Sequence, residues 1–105
     1  MATVIVDAEN VRRSLWPNLR RADLVHRARA WARREGHALL LVFDGDAPED
    51  APDVVGTDYA DDEIVRLAGA TSGEVWVVTS DRDLRDRIGG DAERVVGGGT
   101  FAREL

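Results

Sequence analysis

The sequence predicts an α/β fold: a three-layer αβα sandwich around a mainly parallel, Rossmann-like sheet. Three observations predict it. The apolar runs at residues 3–6, 38–43 and 74–79 are continuous rather than alternating, as in strands covered on both faces. Segments with helical spacing separate them, implying right-handed βαβ crossovers. And all three runs lead into an aspartate, at the edge where open α/β sheets bind ligands.

Thr3 to Val6 is β-branched and apolar, a buried strand ending at Asp7. A short helical turn over Val11 to Leu15 stops before Pro17, since the residue ahead of proline avoids helical geometry. An amphipathic helix runs from Asp23 to Glu35, with Leu24, Val25, Ala28, Trp31 and Ala32 toward the sheet and Arg20, Arg27 and Arg34 opposite. Gly36 stops it. Ala38 to Phe43 forms the second strand. Asp44 to Thr57, with two prolines and two glycines, reads as a mobile loop. A helix from Tyr59 to Ala70 buries Ile64, Leu67 and Ala68. Then come a strand from Glu74 to Thr79, a short helix from Asp81 to Ile88, and a strand from Arg94 to Val96. Gly97 to Gly99 is a loop, since it matches no phosphate-loop spacing. A stub of helix begins at Thr100.

The 105 residues suit one domain spanning the whole chain. No apolar run approaches the ~20 residues of a membrane span, and the N-terminus does not resemble a signal peptide. The expected setting is therefore the cytoplasm, by default. The absence of cysteine removes disulfides and thiolate metal sites. The net charge of −6 argues against a simple phosphate-binding surface, but its distribution is polar. Eight of the fourteen arginines fall between Arg12 and Arg34, whereas residues 44 to 63 hold nine acids and no base.

Asp7, Asp44 and Asp81 sit at strand ends, and Asp62 in the first turn of the helix that points the same way. Each alone is explained by turn or cap chemistry, but four at equivalent positions indicate a site. Clustered carboxylates repel and take up protons unless a cation is present, and an all-oxygen set suits Mg²⁺ or Mn²⁺. Asn10, one turn after Asp7, is placed to orient a water or contact a phosphate. Asp83 either joins the site or pairs with Arg87. Arg12, Arg13 and Arg82 adjoin the acids and are the candidate phosphate-holding residues. Trp16 either stacks a base or, as expected here, closes over the core. His26 and His37 are expected at the surface.

Val4-Ile5-Val6-Asp7-Ala8-Glu9-Asn10, Val42-Phe43-Asp44-Gly45, Ala60-Asp61-Asp62-Glu63-Ile64 and Val78-Thr79-Ser80-Asp81-Arg82-Asp83-Leu84 together resemble the NYN domain, of the YacP-like kind, in the PIN-like nuclease superfamily. The resemblance implies a PIN-like fold, Mg²⁺ or Mn²⁺ dependence, and hydrolysis of RNA as an endoribonuclease. It makes Asp7, Asp62 and Asp81 metal-binding, with Asn10, Asp61 and Asp83 beside them and Asp44 nearby. Ala8 and Glu9 depart from the usual Gly and bulky residue. The chain is also shorter than the usual domain, so a C-terminal element is expected to be missing, or replaced by dimerisation. The competing reading is a non-catalytic RNA- or protein-binding module of the same fold. A receiver or dehalogenase-like phosphatase would need a lysine, which the chain lacks; a Toprim-like site using Glu9, Asp81 and Asp83 is a minor alternative.

Overall fold

The computed structural model describes residues 1–105. Its core is a five-stranded sheet in which every pairing is parallel: β1 (Thr3–Asp7), β2 (Ala38–Asp44), β3 (Val54–Thr57), β4 (Val75–Val78) and β5 (Arg94–Val96), in the order β3-β2-β1-β4-β5. Helices α1 (Ala8–Arg12), α2 (Arg21–Glu35) and α5 (Gly98–Glu104) cover one face; α3 (Ala60–Ala70) and α4 (Arg82–Ile88) cover the other. This is the predicted sandwich.

Alternation along β1 builds both cores. Val4 and Val6 point to the first face, among Leu24, Trp31, Leu41, Phe43 and Phe101. Ile5 points to the second, among Val42, Ile64, Val77 and Leu84. Each such fully buried side chain contributes about 1.5–3 kcal/mol. α2 ends on Gly36 at φ 75, a left-handed cap that glycine adopts without strain. No helix is long and apolar enough to cross a membrane.

Five local expectations are corrected. Gly98 and Gly99, expected in a loop, open α5. The first helix starts directly at Ala8 rather than Val11, so Asn10 lies within it. The expected loop at 44–57 contains β3, which pairs with β2 at the sheet edge. Its four residues are too few to show a period between prolines and glycines, and pairing with an existing strand supplies the stability that the sequence does not signal. Trp16 does not close over the core; it is 89% exposed at the tip of the α1–α2 loop. Leu15 and Leu19 pack against the core instead. His37 is half-buried: its Nδ1 accepts from the Ala2 amide at 3.0 Å, and its ring lies between Trp31 and Trp76.

Candidate metal and nuclease site

The sheet order reverses between β1 and β4, and ligands bind in α/β sheets at such a switch point. The cleft there has a volume of about 690 Å³. Asp7, Asn10, Asp44, Asp61 and Asp81 line it, with Arg13 and Arg87 among its cations.

Asp7 ends β1 and is 6% exposed. Thr79 Oγ1 donates to its Oδ2 at 2.9 Å and accepts from the Asp81 amide at 3.1 Å, so one buried hydroxyl ties the ends of the two central strands. Asp81 Oδ1 accepts from the Asp83 and Leu84 amides at 2.9 and 3.2 Å, capping α4. Asp44 Oδ1 accepts from the Ala60 amide at 3.2 Å at the start of α3. Each of these three carboxylates thus spends one oxygen on the fold and keeps the other free of a protein donor. The cap and turn roles considered for Asp44 and Asp81 are real, and they orient the acids rather than replace a site.

The electrostatics agree. Burial pushes the Asp7 carboxyl from 3.8 up to about 6; the Thr79 hydrogen bond opposes this, and Asp61, Asp44 and Asp81 add to it. Burial also raises Asp61, reinforced by Asp81 and Asp44 and offset by Arg87. Asp62 adds a smaller push on Asp61, so Asp7 feels Asp61, Asp44 and Asp81, and Asp61 feels Asp81, Asp44 and Asp62.

The adjacent acids differ. Asp62 lines the cleft, but its side chain is 65% exposed and accepts from Arg87 Nη2 at 2.7 Å. Arg87 therefore pairs with Asp62 and not with Asp83, which lies outside the lining of the cleft. Asn10 Oδ1 accepts from the Ser80 amide at 3.0 Å, joining α1 to the β4–α4 turn. Arg13 lines the cleft with its side chain 69% exposed. Arg12 is held on Glu9, and Arg82 is exposed away from the cleft lining.

Two roles escaped the sequence reading. Glu9 is 5% exposed and gathers three arginines. Arg12 donates to Oε2 at 2.7 Å, Arg13 stands 3.6 Å from the same oxygen, and Arg21 stands 3.1 Å from Oε1. The spacing of Glu9 to Arg12 and Arg13, three and four residues on, is the signal that could have found it. Gly98 is the other. A Cβ there would collide with Asn10 Oδ1 and come within 2.8 Å of Ser14 Oγ. Its amide donates to Ser80 Oγ at 2.8 Å. Nothing in the local sequence announces that packing.

The donor set fits a hard divalent cation: oxygen ligands, a cluster short of positive charge, and a buried carboxylate resisting ionisation. No three of the acids stand close enough together to grip one ion as they are.

No family model matches the sequence. A search of curated proteins also finds no match. Among solved structures, the chain is similar to a mutant of Rae1 (YacP) from Bacillus subtilis, with a TM-score of 0.80 and 25% identity over 99% of this chain and 74% of that one. The fold is thus that of the YacP-type protein which the motifs resemble.

Proposed function

We propose that the protein is a metal-dependent endoribonuclease. The observation that carries this reading is the convergence of Asp7, Asp44, Asp61 and Asp81 on one cleft, with Asp7 buried and held near pKa 6 by its surroundings. The YacP-type fold and the motif order support it. In this reading Asp7, Asp44, Asp61 and Asp81 hold Mg²⁺ or Mn²⁺. Asp62, favoured by the motif resemblance, instead serves through Arg87. When bound, the metal supplies Lewis-acid stabilisation of a phosphodiester and a lowered pKa for water.

The chain's own residues supply orientation and charge. Thr79 fixes the Asp7 carboxylate and, through the Asp81 amide, its spacing from Asp81. Asn10 is held by its Oδ1 on Ser80, which leaves its Nδ2 amide as a donor for a substrate oxygen. Arg13 and Arg87 line the cleft and offer charge to flanking phosphates.

The separation of the acids favours a second reading, a binding module that does not turn over. Cleavage of a labelled single-stranded RNA in Mn²⁺ by the wild type and by Asp7→Asn separates the two. Cleavage by the wild type alone supports the nuclease. RNA binding without cleavage by either supports the module.

A further inference from the structure

The mechanism leaves the most exposed large aromatic side chain without a role. Trp16 is 89% exposed, whereas Trp31 is buried and Trp76 half-buried. Its loop is anchored on both sides. The Leu19 amide donates to the Arg12 carbonyl at 3.1 Å, and Leu15 and Leu19 pack on the core. Trp16 is thus held out on a fixed base, two residues beyond Ser14, which lines the cleft. Two residues of chain span at most about 7 Å, so the backbone of Trp16 lies beside the cleft, while its side chain is outside the lining itself.

The same rim carries a group of arginines, whereas Arg87, which lines the cleft besides Arg13, is paired with Asp62. Glu9, almost fully buried, draws Arg12, Arg13 and Arg21 around one carboxylate, three positive charges against one negative. The Arg13 side chain remains 69% exposed and lines the cleft. Elsewhere an exposed aromatic meets opposite charge: Tyr59, 72% exposed, lines the other side among Asp58, Asp61 and Asp62.

We propose that the α1–α2 rim is a nucleotide subsite. Trp16 stacks one unpaired base, and Arg13, backed by the Arg12 and Arg21 that Glu9 orders, takes the phosphate beside it. An indole 89% exposed offers π surface to a base, and bases offer theirs only when unpaired. A cationic group alongside supplies the backbone contact that stacking lacks. The subsite rests on the nuclease reading for the identity of the strand.

The test uses the intact protein. Anisotropy of a dye-labelled single-stranded oligoribonucleotide in Ca²⁺ is compared for wild type, Trp16→Ala and Trp16→Phe. Wild-type hydrolysis of bis(p-nitrophenyl) phosphate in Mn²⁺, a diester without a base, reads the acidic centre separately. The expected result is a roughly tenfold or greater loss of affinity in Trp16→Ala, largely restored in Trp16→Phe, with duplex RNA bound more weakly by the wild type. Unchanged affinity in Trp16→Ala, no rescue by phenylalanine, or equal binding of duplex overturns the subsite. Loss of affinity without wild-type diester hydrolysis keeps the subsite and sinks the nuclease; hydrolysis without a Trp16 effect does the reverse.

Discussion

The two lips of the cleft use charge in opposite ways. On the α1–α2 lip a single buried carboxylate, Glu9, holds three arginines, so one acid organises a surplus of positive charge. On the lip formed by residues 44–63, nine acids have no base in their own segment. They find partners elsewhere: Arg29 on α2 binds Asp53 and Glu49, Arg87 on α4 binds Asp62, and Glu63 pairs with Arg66 one turn later. The net charge of −6 conceals this polarity. A negatively charged strand is repelled by the protein as a whole and still finds one lip that attracts it. Between the lips the acids are poorly neutralised, and the fold carries that cost.

The floor between the lips gives the largest expected effect. In Asp7→Asn, RNA cleavage should fall more than about 100-fold, beyond what losing a supporting contact around a metal causes. Stability in chelator at pH 7 should move the other way. The folded protein holds the Asp7 proton more tightly than the unfolded chain, with a pKa of about 6 against 3.8. Wild-type stability from this group therefore declines as pH climbs from about 4 to about 6, then stays level. The gap between the folded and unfolded pKa corresponds to roughly 3 kcal/mol, or on the order of 10 °C in Tm for a domain of this size. Thermal melts of both proteins in EDTA between pH 4 and 7 check it. Curves that run parallel would show that the floor is not strained.

The basic lip should respond next. Glu9→Gln leaves Arg12, Arg13 and Arg21 facing one another without their carboxylate, and should cost about 2–4 kcal/mol, near the scale of a broken buried ion pair. Urea titration reads this. A loss below about 0.5 kcal/mol would mean that the arginines reach solvent freely and that Glu9 organises nothing.

How much of this was legible follows from locality. Val4 to Asp7, Ala38 to Phe43 and the Leu24 to Ala32 face announce themselves because each is a continuous local pattern, and their order suffices for a parallel sandwich. The aspartates at strand ends were visible for the same reason. The division of labour between Asp61 and Asp62 was not, because it depends on Arg87 reaching from another helix. Trp16 was misplaced because an apolar residue is expected inside, and only Leu15 and Leu19 taking the core positions leaves it outside. Gly98 escaped because the atoms that forbid a side chain there come from residues 10 and 14. Converting it to alanine should push Asn10 off the Ser80 amide and cost about 1–3 kcal/mol, with urea titration as the check; a neutral outcome would show that the α1–α5 contact relaxes freely.

The smallest effect is expected where the lips are tied together. Arg29 Nε and Nη2 donate to the two oxygens of Asp53 at 2.8 and 2.7 Å, and Nη1 donates to Glu49 at 2.9 Å. The bidentate bond holds the Asp53 carboxyl below its usual range, and Asp53 in turn keeps Arg29 firmly protonated. Both side chains keep about a quarter of their surface in water, so Arg29→Ala should cost only about 1 kcal/mol. Its consequence should be local. The segment between β2 and β3 is exposed at Pro48, Glu49, Asp50 and Pro52, and without Arg29 it loses its bidentate contact with α2. Limited proteolysis should then cut within residues 46–53 before any other segment, while the Mn²⁺-dependent activity stays within about twofold, since Arg29 lies outside the cleft lining. Faster cutting together with lost activity would mean that the acidic lip, rather than the basic one, positions the strand, because only a lip that touches substrate can transmit its loosening to the floor.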